Sequence, residues 1–339
     1  MRIDRGFMTG GLKAIVLVGG FGTRLRPITY HTPKHLIPIA GKPVLYHCFD
    51  ALPRAVTEIN LACGYMVEEH PRYIREHPYR IPVKVITEEK PLLTGGAMLN
   101  ASEGVSGEFV LMNGDVICGL NGDEMLEYHR RKKAYGTMFL VEQQDVTTYG
   151  VAGMDADDRI EEFVEKPAPE DAPSHWINAG MSVWNADVMK AVPAGTPISF
   201  EREIMPKLLA KPVYGFKSKT WWEDVGTPER VLHAQRLIFD NLPPKQRETH
   251  VHLPGAQAAM PVCVGGGCSA EGSKVGPYVT LGNGVRIGKG SIIEDSIIMD
   301  GAEIGEGSIV VRSIVGDKTV LPKKSRIEGR CIARDLERH

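Results

Sequence analysis

Residues 12–43, LKAIVLVGGFGTRLRPITYHTPKHLIPIAGKP, decide the fold. Residues 13–18 are nearly all apolar and rich in branched side chains, which predicts a parallel strand covered on both faces. Gly19, Gly20 and Gly22 follow at once. Lacking Cβ atoms, they let backbone N–H groups approach phosphate oxygens or a base edge, and Arg24, Arg26 and Lys34 add positive charge. A plain tight turn also gathers glycines after a strand. Two common phosphate loops do not fit. The dinucleotide fingerprint requires a third glycine where Leu25 stands, and the P-loop requires a Gly-Lys-Ser/Thr ending that is missing. The stretch reads as a triphosphate loop of another kind.

Outward from that loop, 339 residues of ordinary globular composition predict two domains. A formal net charge of −2 excludes the overall basic field of a nucleic-acid or anionic-membrane binder; small anionic substrates need only local cations. Six cysteines without a CxxC pair, several in apolar runs, predict reduced thiols and a cytoplasmic protein. No apolar stretch is long enough to span a bilayer, and residues 1–11 read as a flexible leader without a signal-peptide core. Over residues 12–240, apolar runs such as EINLAC, VKVITE, FVLMNGD and GTMFLVEQ alternate with helix-like segments. This predicts an α/β domain with a Rossmann-like mixed or parallel sheet, whose ligands sit at the carboxyl ends of strands. Asp115 ends one such run and is expected to project into the crevice, a helix cap being its simpler role.

Pro-rich residues 241–258 predict a linker, and 259–339 a second domain. From residue 275 an aliphatic residue followed by glycine returns at a step of about six, in VGPYVT, LGNGVR and IGKGS, then in IGEGSI and IVGDKT. These hexapeptides predict a short left-handed parallel β-helix, three units to a coil, with the aliphatic residue inside. A stack this short must cover its ends, which predicts a homo-oligomer joined through this domain. Many hexapeptide helices are acyltransferases, but residues 275–338 contain no histidine to serve as general base, so scaffolding is the better reading.

The run GGxGTRLxPxT, then PK and GKP, resembles the signature of the sugar-1-phosphate nucleotidylyltransferases. Further segments extend the likeness: EEKPLLTGGAM (88–98), NGD (113–115), YGV (149–151), EKP (165–167), INAG (177–180) and WEDVGTP (222–228). The resemblance implies transfer of a nucleotidyl group from a nucleoside triphosphate to a sugar 1-phosphate, with pyrophosphate released. It implies nucleotide contacts at Leu17, Gly19, Gly20, Gly22, Thr23, Arg24, Glu88, Pro91, Thr94, Gly95 and Gly114. On the sugar-phosphate side it implies Gly150, Glu165, Lys166, Asn178 and Gly180. The residue chemistry suits this: Lys166 can neutralise a phosphate, Glu165 and Asn178 can bond hydroxyls, and the glycines leave room for a ring. Asp115 and Asp224 are implied ligands of Mg²⁺, with Arg24 and Lys34 the cations facing pyrophosphate.

Two departures bear on the base. Leu93 stands where members often have glycine, and His35 where they often have proline. The motifs look most like those of mannose-1-phosphate guanylyltransferases, which implies GTP with mannose 1-phosphate or an analogue, a sugar-like cyclitol phosphate included. Thymidylyl- or uridylyltransferases acting on glucose 1-phosphate share nearly the same signatures and stay open as alternatives. A non-catalytic regulatory subunit of this architecture is expected to lose its cations or metal acids. Arg24, Lys34, Asp115, Lys166 and Asp224 are all present.

Overall fold

The computed structural model describes residues 11–243 and 253–334, so the expected leader lies outside the described residues but for Gly11, as does half of the expected linker. Contacts divide the chain into two compact units, Met1–Gly20 with Cys48–Trp222, and Phe21–His47 with Glu223–His339.

The first unit is built on nine strands: β1 (Leu12–Leu17), β2 (Val56–Cys63), β3 (Val83–Thr87), β4 (Glu108–Asn113), β5 (Gly136–Glu142), β6 (Gly150–Met154), β7 (Ile160–Glu165), β8 (Trp176–Asn185) and β9 (Val213–Lys217). They form one sheet in the order β7-β6-β8-β4-β1-β2-β3, with β5 pairing both β8 and β9. Strands β4, β1, β2 and β3 run parallel, whereas β8 is antiparallel to β4 and β5. Ala14, Ile15 and Val16 of β1 are fully buried, as a central strand covered on both faces requires. Helices α1 (Glu69–Glu76), α2 (Leu93–Asn100) and α3 (Gly122–Lys132) are the longest of this unit. The core includes Trp184, edge-on to Phe200 at 5.1 Å and lying against Gly136, where no side chain would fit.

Four adjacent parallel strands end on the same side. Past their carboxyl ends come Gly19 and Gly20 after β1, Gly64 after β2, Glu88 after β3, and Gly114 and Asp115 after β4. Asp115 therefore lies two residues beyond its strand, in the turn that follows it.

In the second unit the tail forms three parallel sheets, of five, five and three strands. In the later coils Thr280 pairs with Ile297, Ile297 with Ile314 and Ile314 with Cys331. Successive coils are thus 17 residues apart, as the serine bonds between them also are, one short of three full hexapeptides. The inward residues Ile298, Ile304, Val310 and Val315 account for this, since the last step is one residue shorter than the others. Buried serines satisfy the corners: Ser291 Oγ accepts from Ser308 N at 3.1 Å, and Ser308 Oγ from Ser325 N at 3.1 Å. Helix α4 (Pro228–Asn241) belongs to this unit. All six cysteines are free thiols. Among the described residues no helix is long and apolar enough to cross a membrane.

Candidate active site

On the nucleotide side, Glu88 faces two glycines. A Cβ at Gly19 would lie 3.5 Å from its Oε1, and one at Gly64 3.6 Å from its Oε2. Its Oε2 accepts from Leu92 N at 3.1 Å, which fixes the carboxylate at the mouth of the turn containing Pro91. Burial raises the Glu88 pKa, and the Leu92 N–H pulls it back. Gly114 N donates to Leu17 O at 2.9 Å, tying the ends of β4 and β1. Gly20, Thr23 and Arg24 are exposed, and Asp115 is half-buried.

Thr94 and Gly95 turn inward. The Thr94 hydroxyl donates to Glu201 Oε2 at 2.6 Å and accepts from Phe200 N at 2.9 Å. Gly95 N donates to Ile198 O at 2.9 Å, where a Cβ would sit 3.0 Å from that oxygen. The turn of α2 is thereby pinned to residues 198–201. Leu93, its first residue, holds φ +58° with a 55 % exposed side chain.

On the sugar side, a Cβ at Gly150 would lie 2.8 Å from Glu165 Oε2, so the glycine makes room for that carboxylate. The Glu165 pKa is raised by burial and then by the Glu201 carboxylate, against Lys166 and Arg202, which lower it. Lys166 Nζ is 3.8 Å from Glu165 Oε1, and its backbone is left-handed at φ +55°. Asn178 and Gly180 occupy a register shift between β8 and β5. Gly180 takes φ +83° beside Asn113 and donates its N–H to Asn178 Oδ1 at 3.1 Å. An interrupted ladder of this kind re-aims side chains at a site rim.

Arg24, Lys34 and Asp224 belong to the second unit. Gly22 at φ +62° accepts from Thr29 Oγ1 at 2.8 Å, and a Cβ on it would come 3.3 Å from Lys34 Cβ. A Cβ at Gly226 would lie 2.6 Å from Arg24 Nη2 and 3.1 Å from Asp224 Oδ1, so Gly226 lets guanidinium and carboxylate approach side by side. Thr227 caps α4 by accepting from Arg230 N at 3.4 Å, with Pro228 in the first turn. Arg230 in turn pairs with Asp224 Oδ2 and Gly226 N donates to Oδ1 at 3.3 Å. Glu223, raised in pKa by burial, pairs with His233.

For a divalent cation, the donor set is sparse and hard. No group of three or more His, Cys, Asp or Glu suited to a metal occurs among the described residues. Mg²⁺ is held by one or two carboxylates with substrate phosphates and water, so Asp115 and Asp224 each offer the kind of hard oxygen donor it takes, and neither unit offers the all-protein cage that another cation would need among the described residues. The motifs in the sequence did not single out Gly64, Glu201 or Arg230.

Residues 13–241 match the family described as Nucleotidyl transferase, and residues 262–335 match that described as GMPPB C-terminal domain. The chain is 33 % identical to mannose-1-phosphate guanylyltransferase of Mycobacterium tuberculosis, over 84 % of each protein. It is 32 % identical to mannose-1-phosphate guanylyltransferase 1 of Arabidopsis thaliana, over 84 % of this chain and 79 % of that protein. Among solved structures, HddC from Yersinia pseudotuberculosis complexed with GMP-PN superposes with a TM-score of 0.57 at 29 % identity, over 67 % of this chain and 99 % of that one. With glycine loop, strand-end acids and hexapeptide tail all in place, the chain belongs to the nucleotidyl transferase family, as a sugar-1-phosphate nucleotidylyltransferase with a C-terminal parallel β-helix.

Proposed function

We propose that this enzyme transfers a guanylyl group from GTP to mannose 1-phosphate or a close analogue, giving a GDP-sugar and pyrophosphate. The observation that carries the choice of base is Glu88, a carboxylate held by Leu92 N against Gly19 and Gly64. Guanine alone among the common bases presents two adjacent donors, N1–H and the N2 amine, which a carboxylate accepts together. Uracil and thymine flank their single N3–H with carbonyl oxygens that a carboxylate repels. The names of the curated relatives and the GMP-PN of the HddC structure agree with this reading.

In the proposed reaction a phosphate oxygen of the sugar 1-phosphate attacks the α-phosphorus in line and pyrophosphate leaves on the far side. Lys166 holds the attacking phosphate against repulsion by the triphosphate. Arg24 and Lys34 take up the charge that grows on pyrophosphate. Glu165 accepts from ring hydroxyls, and Asn178 bonds them too. The nucleophile is already an anion, so no general base is needed. Asp115 and Asp224 would hold Mg²⁺, which when bound neutralises charge at the α-phosphate. The enzyme works in the cytoplasm as a homo-oligomer joined through its β-helix.

The test is a matrix of GTP, dTTP, UTP, ATP and CTP against mannose, glucose, N-acetylglucosamine and heptose 1-phosphates, run with wild type and Glu88→Gln. GTP with mannose 1-phosphate should give the highest kcat/KM. The amide presents a donor where the carboxylate presented an acceptor, so Glu88→Gln should lose about ten- to a hundred-fold in kcat/KM for GTP and gain relative use of UTP or dTTP. A wild-type preference for dTTP or UTP overturns the guanylyl assignment. Unchanged GTP use in Glu88→Gln removes Glu88 from base reading.

A further inference from the structure

The signature segment GKP has no task in the chemistry above, and its place in the second unit gives it one. Pro38–Ile39 and Lys42–Pro43 pair antiparallel across Ala40 and Gly41, both left-handed at φ +46° and +85°. A two-residue hairpin of that twist is tightly set. Its tip sits on the β-helix. Ala40 N donates to Thr280 Oγ1 at 3.0 Å, and a Cβ at Gly41 would meet Cys263 Sγ at 2.5 Å. The Thr280 hydroxyl in turn donates to Gln235 Oε1 at 2.6 Å, and Gln235 Nε2 donates to Tyr278 O at 2.8 Å. Thr280 is 1 % exposed and Gln235 0 %. One buried hydroxyl therefore joins the hairpin, the β-helix and α4.

The same segment touches the β-helix on its other flank. Thr32 Oγ1 donates to Asp317 Oδ1 at 3.3 Å, and His31 Nε2 lies 3.2 Å from Arg334 O. Ile28 Cδ1 comes 3.2 Å from the position of a Cβ on Gly316. Lys34 is bracketed by these contacts, and Gly22, two residues before Arg24, accepts a bond from Thr29 and leaves room beside the Lys34 side chain. On α4, Arg236 makes two bonds to Asp295 at 2.8 and 2.6 Å.

We propose that the hairpin of residues 38–43, seated on the β-helix by the Ala40–Thr280–Gln235 contact, is the positioning element for Arg24 and Lys34, so that the β-helix is part of the pyrophosphate-binding machinery. The inference rests on the reading that those two cations face pyrophosphate. A displacement of about an ångström at such a group costs far more in rate than in fold.

The experiment runs the full chain backwards, from GDP-mannose and pyrophosphate to GTP and mannose 1-phosphate, and compares wild type, Thr280→Val, Thr280→Ser and Arg24→Ala. Thr280→Val keeps the shape and removes both bonds of the hydroxyl; it should raise the pyrophosphate KM about ten-fold or more while leaving that for GDP-mannose within about two-fold. Thr280→Ser should restore it. Combined with Arg24→Ala, Thr280→Val should add little, because it acts through the same group. Arg312→Ala, on an exposed pair of the β-helix with Glu328, should leave both constants unchanged. If Thr280→Val does not fold, Gln235→Met removes the acceptor at similar volume. A raised pyrophosphate KM in Arg24→Ala but not in Thr280→Val or Gln235→Met overturns the inference, as does an equal rise in Arg312→Ala. An unchanged pyrophosphate KM in Arg24→Ala instead overturns the role of Arg24 on which the inference stands.

Discussion

At the residue scale, Leu93 shows what a departure from a family pattern does physically. Its φ of +58° is a region that L-residues with a Cβ enter at about 1–2 kcal/mol, and its side chain is largely exposed, so little packing offsets the strain. Leu93→Gly relieves the strain and adds the backbone entropy of glycine, about 0.5–1 kcal/mol against it. Urea unfolding should show Leu93→Gly to be more stable by about 0.5–1 kcal/mol. Equal or lower stability means that Leu93 makes contacts worth its strain. The acids are tested separately. Asp115→Asn or Asp224→Asn should keep the far-UV spectrum and lose about a hundred-fold or more in turnover, the several kcal/mol that a catalytic metal supplies. Turnover within a few-fold of wild type at saturating Mg²⁺ rules out that aspartate as a ligand.

At the element scale, α1 is latched to the end of β2 by a buried pair: His70 Nδ1 lies 3.3 Å from Cys63 Sγ. Burial lowers the His70 pKa from 6.5 to about 4 and pushes the Cys63 thiol up to about 11, so both are neutral in the native fold. A histidine depressed in the folded state gives stability that is present above its unfolded pKa and lost as pH falls through the folded one. Between pH 6.5 and about 4 the wild type should therefore lose up to about 3 kcal/mol through this group. His70→Gln should flatten that part of the stability–pH curve, read by urea midpoints at each pH. Parallel curves for the two proteins would place the acid sensitivity elsewhere. The latch matters for the site because Gly64, one of the two glycines facing Glu88, follows Cys63 directly.

At the scale of the whole molecule, the β-helix ends without a further coil stacked on it among the described residues. Its last strands, Arg326–Glu328 and Cys331–Ile332, close the two larger sheets, and Ile327 and Ile332 are only partly buried. In the proposed homo-oligomer this is the face that a symmetry mate would cover. If the proposed homo-oligomer pairs through this end, Ile332→Lys should reduce the particle size measured by light scattering. An unchanged size moves the subunit contact off this end.

How much was legible follows from how local each cause is. The strand expected over residues 13–18 and found at Leu12–Leu17, the turns rich in glycine, the start of α4 at Thr227-Pro228 and the aliphatic period of the tail are written in neighbouring residues, and the sheet and β-helix appear where those patterns lie. Hydrophobic period and backbone preference act over a few residues, so sequence alone determines them. What the tertiary structure decided is partnership. Thr94 looks like a substrate contact in its motif, yet its hydroxyl is taken up by Glu201, a residue 107 positions away. Arg24 and Asp224 share the neighbourhood of Gly226, and Ala40 finds Thr280 across 240 positions. The loop that the sequence assigns to the nucleotide domain is carried from Phe21 onward in the unit built on the β-helix. Such pairings depend on which surfaces the folded chain brings within 3 Å. A one-dimensional pattern lists the groups available for bonding, and three-dimensional packing selects which of them meet.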